Sequence, residues 1–188
     1  PHKHQMQGPY TKKDLKEAPI HLSQIISKTR RYALIEDDEG VLVCDLIKGK
    51  NSLLTIYFNE LWANVPTQPL LFPLNIPLSE DTQFESAYLS LFAALGYHLK
   101  KHESALSLFI APRITQPNSE LILEMIKQMQ LTQNKTHLCE NLAKRLSIQS
   151  LYTIDHDRFS WLLGRWVEMN PKDAWRRFSY DEFEKLIE

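Results

Sequence analysis

The chain has 188 residues, of which 43% are hydrophobic and 24% charged, with a formal net charge of −1. That length can bury a core in one domain, or in one domain with an extension, and the composition lacks the polarity of a disordered chain. Its longest apolar stretch, Leu70 to Leu78, is broken by Pro73, Asn75 and Pro77, so nothing approaches the roughly 20 apolar residues that a membrane-spanning helix needs.

Residues 1–7 lack the apolar centre of a secretory signal, and two cysteines, Cys44 and Cys139, are too few for a disulfide framework. Both features point to a reducing, cytoplasmic setting. The charge is unevenly placed: residues 1–31 hold seven Lys or Arg against two acids, whereas residues 32–97 hold two against nine. A basic arm beside an acidic body steers partners by charge or keeps the molecule dissolved.

In chain order, Thr11 with Asp14 three residues on predicts a capped helix that Pro19 ends or restarts, and Ile20, Leu22, Ile25 and Ile26 stripe a helix from Pro19 to about Lys28. Three apolar runs follow, Tyr32 to Ile35, Val41 to Ile47 and Leu53 to Phe58, joined by Asp37-Asp38-Glu39-Gly40 and Lys48-Gly49-Lys50-Asn51. Short Gly-bearing connections predict hairpins, hence a three-stranded antiparallel meander. Asn59 can cap a turn of helix through Ala63. Prolines 66, 69, 73 and 77 then force an extended connection whose apolar residues must cover a surface or bind something.

From Ser79 or Asp81, the spacing of Phe84, Tyr88, Leu91, Phe92, Leu95 and Leu99 predicts a long central helix to about Lys101. Ala105 to Ala111 reads as a fourth strand closed by Pro112. Helical stripes then recur at Leu121, Ile122, Met125, Ile126 and Met129, at Leu138, Leu142, Ala143 and Leu146, and at Phe159, Leu162, Leu163, Trp166 and Val167. Pro171 suits the first turn of a short helix through Phe178, and Ser179 with Glu182 forms a capping box for a last one. The expected fold is α+β: a small antiparallel sheet, the meander plus a fourth strand, on a long central helix. An α+β domain would span residues 11–118, with a helical region over 119–188 packed on it as one unit.

Chemistry is hard to find. His98 and His102, four apart on the expected central helix, have metal-ligand spacing, but Lys100 and Lys101 between them oppose a cation. Cys139, His137 and Glu140 are neighbours in sequence, yet consecutive helical positions diverge and make no triad. The chain has no Gly-x-Ser-x-Gly elbow and no glycine-rich phosphate loop. Enzymatic activity, a cofactor and a small-molecule substrate are therefore not expected.

Leu138 to Ile148 has the order of small and leucine residues of a first helix in helix-turn-helix domains. Arg158, Arg165, Arg176 and Arg177, with Trp161, Trp166 and Trp175 as stacking groups, keep a nucleic-acid-binding regulator as the alternative, but residues 149–157 are acidic and apolar where phosphate contacts would be wanted, so nucleic acid is not an expected partner.

The element order, helix, three strands, helix, strand, helix, over residues 11 to 130 resembles the small α/β chaperones that hold effectors for bacterial secretion systems. Those chaperones usually show a second strand after the core helix, which this chain is expected to lack. The resemblance implies a noncatalytic chaperone or adaptor, such as a subunit of a secretion-coupling complex working with other proteins. Apolar surface beyond the needs of a minimal fold points the same way. Trp62, Leu70, Leu71, Phe72, Trp161, Trp166 and Trp175 are the expected protein-contact residues.

Overall fold

The computed structural model describes residues 24–146, 151, 154, 156–169 and 174–187. The helix expected from Thr11 lies outside them. Among the described residues the chain is α+β, as its sequence implies, with six helices and seven strands in two antiparallel sheets.

Strand β1 is Gln24–Lys28, where the sequence suggested the end of a helix. It pairs antiparallel with β2, Tyr32–Asp37, which pairs in turn with β3, Gly40–Asp45. β-Branched Ile25 and Ile26 suit a strand at least as well as a helix, and the partner strand decides. The expected β2–β3 hairpin is present, with Asp37 opposite Gly40.

The third strand of the expected meander is instead helix α1, Leu46–Glu60. Asp45 caps it, its carboxylate accepting from the amides of Ile47 at 3.0 Å and Lys48 at 3.2 Å, so strand passes to helix with no loop. The run LLTIYF satisfies either element. Leu46, Gly49, Leu53, Ile56 and Tyr57 then fall on a buried stripe of helical spacing. Lys48-Gly49-Lys50-Asn51 is not a turn: a Cβ built on Gly49 would lie 2.2 Å from Cζ2 of Trp166, and the close approach of α1 to that ring is what the glycine serves.

The proline-rich stretch forms β4, Thr67–Pro77, an edge strand on a three-stranded sheet of order β4–β6–β5. Edges are where prolines belong, since no ladder hydrogen bond is lost on the open side. The expected long helix is only α2, Ala87–Ala94, followed by β5, His98–Lys101. Gly96, with φ of 87°, ends it: its amide donates to Ala93 O at 2.9 Å and that of Tyr97 to Phe92 O at 2.8 Å, a left-handed helix stop. Strand β6, Ala105–Pro112, matches expectation.

Helices α3, Ser119–Leu131, and α4, Lys135–Arg145, are capped by Asn118 and Asn134. Helix α5 is His156–Glu168. Trp175–Phe178 is strand β7, not the short helix expected after Pro171, because it pairs with β3 and widens the first sheet to the order β1–β2–β3–β7. Helix α6, Tyr180–Ile187, opens with the expected capping box: the Ser179 amide donates to Glu182 Oε2 at 2.9 Å and the Glu182 amide to Ser179 Oγ at 3.3 Å.

Ala33, Ile35, Leu42 and Cys44 face the core and are fully buried with Leu53, Leu54 and Phe58 of α1. Helices α4 and α5 pack on α1 in turn. The core is one continuous apolar cluster reaching from this sheet through Tyr97, Leu106 and Leu108 to Met125 and Leu142.

Candidate functional site

Side chains alternate across a strand, so a sheet whose Ala33, Ile35, Leu42 and Cys44 point to α1 presents the intervening residues to the other side. Those are Tyr32, Leu34 and Glu36 of β2 opposite Asp45, Val43 and Val41 of β3. Strand β7 adds Arg176 opposite Val43 and Phe178 opposite Val41.

Helix α6 packs on β3 and β7, and Val41 is buried although it lies on the face away from α1. Among the described residues the remainder of that face is only partly covered. Leu34, Val43 and Phe178 are half-buried, and Tyr32 is exposed. Two guanidinium groups lie over its aromatic rings, Arg31 at 5.1 Å from the Tyr32 centroid and Arg176 at 4.5 Å from that of Phe178. Tyr180 donates to Glu36 Oε1 at 3.2 Å, tying α6 to β2. The outer face is thus an apolar stripe, Leu34–Val43–Phe178, with aromatic, cationic and anionic groups at its margins.

The expected contact residues scatter. Trp161 and Trp166 are 5% and 1% exposed and belong to the chain's own core; as folded they offer no surface to a partner. Trp175 is half-buried on β7, opposite Cys44 on the core side. Trp62 is half-buried, with Lys135 Nζ 5.6 Å from its ring. Leu70 packs partly against the core, whereas Leu71 and Phe72 are 89% and 77% exposed at a break in register between Pro69 and Leu74. They form a greasy tip on an edge strand, far in sequence from the outer face of the first sheet.

Tyr32, Leu34, Val43 and Phe178 escaped sequence reasoning. A usable signal existed: Tyr32-Ala33-Leu34-Ile35 and Val41-Leu42-Val43-Cys44 are apolar at every position, which marks strands covered on both faces.

Among the described residues, the groups singled out for chemistry do not come together. His98 lies on β5 and His102 just beyond it, so the helical spacing that suggested a metal pair does not apply; His102 Nε2 is 3.1 Å from Ser107 Oγ. Burial pushes the thiols of Cys44 and Cys139 up to about 12, which keeps them protonated and inert.

No described helix is long and apolar enough to cross a membrane. No curated protein matches the chain. Residues 26–154, from β1 past α4, match the family model described as MutL C terminal dimerisation domain. That match overturns both functional expectations, the secretion-system chaperone or adaptor and the helix-turn-helix regulator. The element order behind the first was itself altered when its third strand proved to be α1 and its central helix broke at Gly96.

Proposed function

The chain belongs to the MutL C-terminal dimerisation domain family, and on that premise we propose that two copies join through the outer face of the β1–β2–β3–β7 sheet to form the dimeric core of a DNA mismatch-repair protein. One observation carries the choice of face: a sheet already packed on α1 keeps a second apolar stripe, Leu34–Val43–Phe178, only partly covered by α6. Apolar side chains on the second face of a sheet call for a second layer.

A two-fold axis requires a self-complementary patch. The face supplies one, with an apolar centre and both Arg176 and Glu36 at its margins. Four strands about 4.8 Å apart, the longest of them six residues, cover at most roughly 19 by 20 Å, less than the about 800 Å² per partner of a standard interface. Helix α6, which borders the stripe, supplies the rest.

We read this segment as noncatalytic. An endonuclease site can lie in this region of MutL proteins, but among the described residues no three His, Cys, Asp or Glu side chains gather as a metal site. A nuclease assay of the chain with divalent manganese and supercoiled DNA is expected to show no nicking above a metal-free control.

Sedimentation velocity tests the interface. The native chain is expected to sediment as a dimer, and Val43→Glu, which sets two carboxylates against each other near the axis, to raise the dissociation constant at least about tenfold. Native-like dimerisation by a folded Val43→Glu chain would place the interface elsewhere. The exposed tip at Leu71 and Phe72 we assign to a protein contact outside the dimer, because two large apolar side chains standing in solvent on an edge strand suit pairing with another chain.

A further inference from the structure

The second sheet has the order β4–β6–β5, so β5, His98–Lys101, is an edge strand. In the turn that follows it, the His102 amide donates to Ala105 O at 2.8 Å and closes a hairpin over Glu103 and Ser104. That bond sets the phase of the ladder. Antiparallel pairs alternate between bonded and unbonded, so Lys100, opposite Ser107, spends its amide and carbonyl on β6, whereas Leu99 and Lys101 turn theirs outward. Among the described residues those outward groups meet no other backbone partner. Two outward donor–acceptor sets, two residues and about 6.8 Å apart, are what an added strand needs.

The side chains select what can be added. His98, Lys100 and His102 alternate along the edge on the outer face, where His102 Nε2 lies 3.1 Å from Ser107 Oγ. Leu99 and Lys101 face the body: Leu99 packs partly on the core, and the Lys101 ammonium donates to Phe84 O at 3.1 Å. Lys100 stands in solvent, without an ion pair among the described residues. No residue of β5 is acidic, and Glu103 lies past it in the turn. Lysine on an edge strand guards against indiscriminate pairing. It repels a second β5 and discourages a neutral strand, so the same guard is a filter that an acidic strand passes.

We propose that β5 takes an extended acidic segment of a partner protein by antiparallel strand addition. Its carboxylates alternate so as to lie beside His98, Lys100 and His102, and its intervening apolar side chains lie beside Leu99 and the stem of Lys101. The occupant follows from charge complementarity on one face and from the phase of the ladder, which places the outward backbone groups on the residues of the other. The site lies on a different sheet from the proposed dimer contact, so each can fail without the other.

Fluorescence anisotropy with a labelled peptide alternating glutamate and valine, titrated against the full chain, tests it. The peptide is expected to bind, and Lys100→Glu to weaken binding at least about tenfold. Lys144→Glu, the same change of charge at an exposed position of α4, should bind as the native chain does. Methylated peptides separate a paired strand from loose attraction of charge. In antiparallel addition Leu99 and Lys101 pair with residues on their own face, the valines, so methylating the valine amides is expected to abolish binding and methylating the glutamate amides to spare it. Circular dichroism checks the fold of each variant, and Lys100→Gln with the methylated pair carries the test should Lys100→Glu not fold. Equal binding of the two methylated peptides would overturn the proposal, as would equal binding of a glutamine–valine peptide, or no binding of the glutamate–valine peptide by the native chain.

Discussion

Gly49 and Asp45 show how single side chains fix the junction on which the first sheet depends. At Gly49 the absent Cβ leaves room for the Trp166 indole, whose Cζ2 and Cη2 would otherwise stand 2.2 and 2.6 Å away. That ring is 1% exposed and has nowhere to swing, so Gly49→Ala must push α1 from α5. A loss of about 1–3 kcal/mol is expected in urea unfolding, despite the higher helix propensity of alanine. Asp45 ends β3, caps α1 and meets Arg31 at 3.3 Å. Burial works to raise its carboxyl, but the amides of Lys48 and Ile47 and the Arg31 guanidinium outweigh it and hold the group below its ordinary 3.8. Its stabilising charge is therefore fully present above pH 3.8 and fades as pH falls through the lower folded value. Asp45→Ala is expected to cost about 1 kcal/mol at neutral pH. Asp45→Asn keeps a cap and removes the charge, so its stability should converge with the native chain's in acid; a gap that persists at the lowest pH would contradict the linkage.

Among the elements, α2 and β5 depend on a backbone state that only one residue type adopts without strain. Gly96 has φ of 87°, and a Cβ there would come within 3.1 Å of Thr67 and 3.2 Å of Pro112 and Val65. Gly96→Ala is expected to cost about 1–2 kcal/mol, read from the shift in thermal midpoint. The same glycine marks the limit of what the sequence revealed. Hydrophobic periodicity runs from Phe84 to Leu99 without a visible break, and nothing local announces that Gly96 turns the chain back as a strand. The β2–β3 hairpin, β6 and the stripes of α3, α4 and α5 were legible because polar turns or caps bound them and one pattern dominates each. Leu53 to Phe58 and Trp175 to Phe178 were not, since both suit helix or strand and their partners, α4 and α5 for the one and β3 for the other, lie far away in sequence. The surface was half legible: Leu71 and Phe72 emerge from a proline-broken strip, whereas the outer face of the first sheet exists only once four strands have assembled.

At the scale of the whole molecule, apolar side chains sort into one shared core and a few exposed sites, and substitutions should sort likewise. Leu71→Asp and Phe72→Ser, at positions 89% and 77% exposed, are expected to change stability by less than about 0.5 kcal/mol and to leave the sedimentation of the dimer unaltered. Leu54→Ala, at a fully buried position of α1, should cost about 2–5 kcal/mol. A loss of stability in the tip variants comparable to that of Leu54→Ala would mean that the tip folds against the body. The pairing of β7 with β3 has a temporal consequence. Val43 waits for Arg176, a partner made more than 130 positions later, so a nascent chain on the ribosome holds β1 to β3 with an unfinished border until β7 has emerged. A contact through the complete sheet must wait for that strand, and a border left bare that long is where a holding factor would find its grip.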